Sequence, residues 1–375
     1  MKVLFDGVIC HPTGVATHHR NFVMALHKKG IPVQIFDTYR AAYGEELKEL
    51  YKPIDAEGED VLTISTYQPQ FINKRSRKNA AFLVHEGSKI PDGWAEIINQ
   101  AVETLLVPSK ATKNLFFSNG VRIPIYVIPE GIDPEKFKPE GEKIKLELVT
   151  PDGNLEKFAG LSDSFMFLSV NSWLGDENDR KGTDLLIRAF AEEFKPEEKV
   201  ILFLKVSAFF APQFDVDSCI KRLGVNDIRI ITDNGYVNEH SIPNLYRRAN
   251  CFVSPTKGEA WGLTIGEAMA CGVPVIVTKN RQAGYTDYVP ENNLFVATEG
   301  MQQADRRFFC EGNMMPKVSI SDLRQKMRYA FEHQEEMKAI GAKNAEHMKN
   351  FTWEKSAEKF IEVMGNGEKK DIMVN

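Results

Sequence analysis

The sequence predicts an α/β protein built as two domains, each a parallel sheet covered by helices. Three observations lead there. Short apolar segments alternate with amphipathic ones through the first third of the chain. The same alternation restarts at Phe165–Val170, after a polar, weakly patterned stretch from Lys136 to Gly160. And 375 residues exceed one ordinary core, which suits two units of roughly 150–200 residues.

Taken in order, Val3–Phe5 reads as a first strand, followed by a helix from about Val15 to Lys29 that Gly30 and Pro32 stop. Val33–Phe36, Val61–Ser65, Phe82–His85, Thr104–Val107 and Ile125–Ile128 are the next expected strands. Helices at about Gly93–Gln100 and Lys110–Ser118 fall between them, the second with Ser109 as its N-cap. After Phe165–Val170 come a helix over Thr183–Phe194 and strands at Val200–Val206, Ile228–Thr232, Cys251–Ser254 and Val275–Val277. From Ser321 the chain reads as helical, and Phe351-Thr352-Trp353 interrupts it before a last helix at about Glu354–Val363. Strands alternating with helices mean parallel sheets, whose ligands bind outside the carboxyl ends of the strands.

Composition narrows the function. With 43% hydrophobic and 26% charged residues and a net charge of -5, the chain reads as soluble and lacks the basic balance of a nucleic-acid binder. No apolar run approaches the ~18–20 residues of a membrane span, and charge returns at Asp6 before a signal-peptide core can form. Cys10, Cys219, Cys251, Cys271 and Cys310 show no paired spacing, so free thiols in a reducing, cytoplasmic setting are expected.

The informative stretch runs from Ser254 to Pro274. An apolar strand enters the loop Pro255-Thr256-Lys257-Gly258-Glu259-Ala260-Trp261-Gly262, which opens a short helix near Leu263 that Gly272 and Pro274 end. A helix N-terminus after such a loop offers unpaired N–H groups and the positive end of the helix dipole, a ready phosphate site. Glu259 precedes the helix and Glu267 lies about one turn inside it, so the two reach different parts of one ligand. Carboxylates flanking a phosphate site suit hydroxyl groups on either side of the phosphates.

This Glu-x7-Glu pattern, within Gly-Glu-Ala-Trp-Gly-Leu-Thr-Ile-Gly-Glu-Ala-Met-Ala-Cys-Gly-Val-Pro, resembles the signature of family-four, group 1 retaining glycosyltransferases of the GT-B fold. Val107-Pro108-Ser109, Val127-Ile128-Pro129-Glu130-Gly131-Ile132-Asp133 and Phe351-Thr352-Trp353 extend the likeness over nearly the whole chain. The resemblance implies two Rossmann-like domains facing a central cleft: residues 1–155 on the acceptor side and 156–353 on the nucleotide-sugar side. A terminal helix at about 354–375 would pack back on the first.

It also implies that Glu259 holds donor-sugar hydroxyls, Glu267 the ribose, and the amides of Gly262, Leu263 and Thr264 the diphosphate. Arg180-Lys181-Gly182 stands where the family has Lys-Gly, cations that would stabilise the leaving diphosphate without a metal. Many members carry the Arg earlier, where Ser172 and Trp173 stand here. Tyr236 and Val237 resemble the segment packing on the nucleobase. Gly14, after Pro12-Thr13, is a candidate close-approach residue, and His85, read at a strand's carboxyl end, a candidate beside the transferred sugar.

The expected reaction is metal-independent transfer of a sugar, with retention, from a UDP- or GDP-sugar to a carbohydrate or lipid-linked acceptor, with no cofactor. Front-face attack assisted by the leaving phosphate is what the family implies. The rivals are a GT-B phosphorylase or sugar-nucleotide hydrolase, and a non-catalytic nucleotide-sugar-binding protein. Asp215-Val216-Asp217 matches a metal-binding Asp-x-Asp but lacks its flanking strand pattern, and is read as coincidence. The basic run Lys74-Arg75-Ser76-Arg77-Lys78 is a solvated loop or, as in some family members, a contact for anionic lipid at the inner face of the membrane.

Overall fold

A computed structural model describes residues 1–9, 13–37, 45–66, 68–144, 163–173, 179–207, 215–233, 241–306 and 309–365. It contains two six-stranded parallel sheets. The first comprises β1 (Lys2–Gly7), β2 (Val33–Asp37), β3 (Val61–Thr66), β4 (Lys78–Phe82), β5 (Thr104–Val107) and β6 (Ile125–Val127), in the order β2-β1-β3-β4-β5-β6. The second comprises β7 (Phe165–Asn171), β8 (Val200–Val206), β9 (Ile230–Asp233), β10 (Cys251–Ser254), β11 (Val275–Thr278) and β12 (Leu294–Val296), in the order β12-β11-β10-β7-β8-β9. All eight residues of β5 and β10 but two are buried, as expected of strands covered on both faces.

Helices α1 (Gly14–Lys28), α2 (Trp94–Ala101) and α3 (Lys110–Ser118) belong to the first sheet. Ser109 caps α3 by accepting from Thr112 N at 3.1 Å. The second sheet carries α4 (Thr183–Glu193), α5 (Val216–Arg222), α6 (Ile242–Arg248), α7 (Leu263–Ala270), α8 (Ile320–Glu332) and α9 (Gln334–Met348). A two-stranded antiparallel hairpin, β13 (Thr298–Gln303) and β14 (Met314–Val318), has no counterpart in the sequence reading.

The last helix, α10 (Trp353–Gly365), leaves the second half and packs on α1. Trp353, Ala357 and Phe360 join Phe5 and Phe22 in one core, with the Phe22 and Phe360 rings 5.4 Å apart. Lys29 Nζ binds Glu354 and Glu358 at 2.5 and 2.7 Å. At the crossing, Ile132 N donates to Phe351 O at 2.9 Å, and His18 Nδ1 lies 2.9 Å from Glu130 Oε1.

Two expected strands are displaced, and β12 is not among those expected. β4 runs over Lys78–Phe82 rather than Phe82–His85: Leu83 N still bonds Leu106 O, but the chain then turns through Gly87 at φ +91°. The strand expected over Ile228–Thr232 begins at Ile230, because Arg229 folds back on Asp227 and on the carbonyls of Phe194 and Lys195, leaving Ile228 exposed.

Asp215 is the N-cap of α5, accepting from Asp217 N and Ser218 N, which gives the Asp-x-Asp a structural role. In the basic run, Arg75 lies on Asp6 at 2.7 Å and over the Phe36 ring at 4.0 Å, so it belongs to the fold. No described helix is long and apolar enough to cross a membrane.

Candidate active site

The strand order of the second sheet reverses between β7 and β10, and a crevice opens at such a switch point. The loops leaving these two strands are pressed together. Lys257 N donates to Arg180 O at 2.7 Å, and Thr256 Oγ1 reaches the same carbonyl at 3.3 Å. Gly182 caps α4 at φ +68°, and a Cβ there would stand 2.4 Å from Pro255 O, so this position needs glycine for both conformation and space.

That contact assembles an ionic cluster. Lys181 Nζ donates to Glu259 Oε1 at 2.5 Å, and Thr256 Oγ1 donates to the same oxygen at 3.2 Å. Arg180 Nη1 donates to Gly258 O at 2.5 Å and lies 3.5 Å from Glu259 Oε1 and 3.4 Å from Glu86 Oε1. Burial works to raise the Glu259 pKa, but Lys181 and Arg180 outweigh it and hold the carboxyl below the usual range. Burial likewise opposes the Arg180 charge, yet Glu86, Glu259 and Asp179 keep its pKa above the ordinary value. Both signs of charge are therefore fixed in a partly dry crevice, where electrostatic interactions are strong.

Below this cluster, Asp184 and Lys257 are buried. Burial pushes the Asp184 carboxyl up to about 6, with Lys257 pulling the other way. The unfolded chain ionises Asp184 near ~3.9, so from there to about 6 the folded state holds a proton the unfolded state has lost. The resulting stability is full at low pH and is lost as pH rises through that window. The unfolding free energy of Asp184→Asn, relative to the parent, is expected to grow by on the order of 2 kcal/mol between about pH 4 and pH 7. Urea denaturation across that range checks the sign.

Gly262, at φ +102°, is the N-cap of helix α7, whose first bonds are Ile265 N and Gly266 N to Gly262 O. The Leu263 and Thr264 amides precede that ladder and belong to the donor-rich end of the helix. Tyr288 holds the turn by donating to Gly262 O at 2.7 Å. Glu267 faces the other side and accepts from Tyr246 Oη at 2.8 Å; burial, and then the Glu267 charge, raise the Tyr246 pKa well above normal.

From the first sheet, Gly14 is exposed at the start of α1 and a Cβ there would meet nothing within 4 Å. His85 does not open onto the cleft as its expected strand-end position implied. It is 9% exposed, its ring 5.2 Å from Trp94 and 5.7 Å from Phe309, with Nε2 3.2 Å from Lys89 O. Burial lowers its pKa. Its neighbour Glu86, which the sequence places with His85 at the cleft mouth but gives no role, is the residue that reaches the cluster. Cys10, His11 and Pro12, and Tyr236 and Val237, lie outside the described residues.

Residues 170–306, which include Arg180, Lys181, Glu259 and Glu267, match the family described as glycosyl transferases group 1. A lipopolysaccharide core biosynthesis mannosyltransferase, LpsB, of Rhizobium meliloti is 27% identical over 190 residues, 50% of this chain and 48% of that protein. The chain thus spans about half of that relative's length. Alpha-galactosylglucosyldiacylglycerol synthase of Streptococcus pneumoniae is 27% identical over 343 residues, 85% of this chain and 83% of that one. Among solved structures, Anabaena HepE in complex with UDP-glucose superposes with a TM-score of 0.67 at 17% identity, covering 98% of this chain and 100% of that one. Over residues 170–306 the chain thus matches the group 1 glycosyl transferases, and its two parallel sheets have the GT-B fold of the solved structures it resembles.

Proposed function

We propose that this protein is a retaining glycosyltransferase that takes a sugar from a nucleoside-diphosphate sugar and passes it to a hydroxyl of a carbohydrate or lipid-linked acceptor, without a metal. The observation carrying this reading is the Lys181–Glu259–Arg180 cluster, set at the switch point beside the N-terminus of α7. HepE, of like fold, is described in complex with UDP-glucose, and two relatives are named as a lipopolysaccharide core biosynthesis mannosyltransferase and an alpha-galactosylglucosyldiacylglycerol synthase.

In this reading the α7 amides, with Lys181 and Arg180, bind the diphosphate and stabilise its growing charge as the glycosidic bond breaks. One such preorganised donor is worth about 3–4 kcal/mol of barrier. Glu259 accepts hydroxyls of the donor sugar, and its 2.5 Å pairing with Lys181 sets a carboxylate for the sugar directly beside a cation for the phosphate. Glu267, held by Tyr246, accepts from the ribose. Glu259 is engaged by two cations and a hydroxyl, which suits a binding carboxylate better than a nucleophile. Retention then comes from attack on the face the phosphate leaves, with a phosphate oxygen taking the acceptor's proton.

Calorimetry with UDP, GDP and ADP, each with and without EDTA, tests the donor site. One nucleotide is expected to bind, with the same affinity in EDTA. Binding of none, or binding abolished by EDTA, overturns the reading. Release of nucleotide from the matching sugar donor with water or inorganic phosphate alone, at the rate seen with acceptors, points instead to a hydrolase or phosphorylase.

A further inference from the structure

One side chain of the β13–β14 hairpin grips the loop that follows β4. Asn313 is fully buried. Its Oδ1 accepts from Ser88 N at 3.0 Å, while its Nδ2 donates to Glu86 O at 3.0 Å and to Lys89 O at 2.8 Å. Met314 N adds a bond to Ser88 Oγ at 2.8 Å. Between these contacts Gly87 is bare, and a Cβ there would lie 1.9 Å from Asn313 Oδ1. The backbone of 86–89, in the first half of the molecule, is therefore specified by an amide from the second.

That grip sets Glu86. Its stem packs at Gly258, where an added Cβ would come 3.2 Å from Glu86 Cβ and 3.3 Å from Met315 Cε. Its carboxylate lies 3.4 Å from Arg180 Nη1, the same nitrogen that meets Gly258 O and Glu259. A planar guanidinium whose one nitrogen donates to a carbonyl and lies against two carboxylates has its whole fork oriented. Gly258 and Glu259 belong to the second half, and Glu86 comes from across the cleft. An anion facing a diphosphate site opposes ground-state binding of the nucleotide, so affinity is a poor reason for Glu86 to stand there.

We propose that Glu86 is a positioning residue for Arg180: fixed by Asn313, it aims the guanidinium from the opposite side of the cleft, so that the cationic site is complete only when the hairpin is seated. This rests on the donor-site reading above. It adds that reaction rate, more than nucleotide affinity, depends on a residue of the acceptor-side half.

The test uses the full chain, with nucleoside-diphosphate binding by calorimetry and steady-state transfer or donor breakdown as readouts, and thermal melting to confirm folding. Glu86→Gln is expected to lower kcat by about tenfold or more, as for loss of a preorganised charge contact. Its affinity for the nucleoside diphosphate should stay within about threefold of the parent's or tighten, since a repelling carboxylate is gone. Glu86→Asp should recover part of the rate, and Asn313→Ala should reproduce the loss in kcat. In an Arg180→Lys background, Glu86→Gln should cost less than about twofold, because residues acting through one another are not additive. Parent-like kcat in Glu86→Gln, or an undiminished loss in the Arg180→Lys background, overturns the proposal and leaves the donor site standing. A parent that binds none of the nucleoside diphosphates removes the donor site itself, and the proposal with it.

Discussion

Glu259→Ala is expected to lower transfer by about 10²–10³-fold while nucleoside-diphosphate binding holds or tightens. The carboxylate is the partner of both Lys181 and Arg180. Its removal leaves two cations in a partly buried crevice, which favours any anion, free diphosphate included. The donor sugar meanwhile loses its carboxylate acceptor, and that loss falls on the step in which the sugar is transferred. Glu267→Ala should do the reverse and weaken nucleotide binding first, since it lies inside α7 on Tyr246. Calorimetry and single-turnover assays on both variants separate the roles. Parent-like transfer by Glu259→Ala would remove Glu259 from the site.

The second large effect is on stability. Gly131→Ala is expected to destabilise the fold by about 3 kcal/mol, at the upper end for overpacking. A Cβ at Gly131 would stand 2.1 Å from Trp353 N and 2.4 Å from Thr352 C. These are backbone atoms, so no side chain can turn aside. The bond from Ile132 N to Phe351 O and the docking of Trp353 on the first half depend on that closeness. Urea denaturation followed by circular dichroism checks it; a variant as stable as the parent would mean that the crossing yields without cost.

The strands and the cationic loop were legible because their causes are local. β5, β8 and β10 follow from continuous apolar runs, and the Ser109 cap from a hydroxyl before a helical stretch. Glu259 stood out because glycines and a helix start frame it in sequence, and Lys181 because of the family resemblance; the structure brings the two together at 2.5 Å. The rest depends on partners far along the chain. Leu83 is buried without being in a strand, and this apolar continuation made His85 look like a strand end. Glu86 could be placed at the cleft mouth from its position beside an expected strand end, but its contacts come from Arg180 and Asn313 in the other half. The hairpin was missed because β13 is mostly exposed and shows no alternation, its tip being stabilised by the 86–89 loop rather than by its own pattern.

The returning helix also bears on how the molecule is made. Trp353, Ala357 and Phe360 complete the apolar wall that Phe22 and Phe82 begin, yet they follow every strand of the second sheet. A ribosome delivering about 5–20 residues per second exposes that wall for many seconds before its last pieces arrive. The half that is synthesised first is thus the half that is finished last.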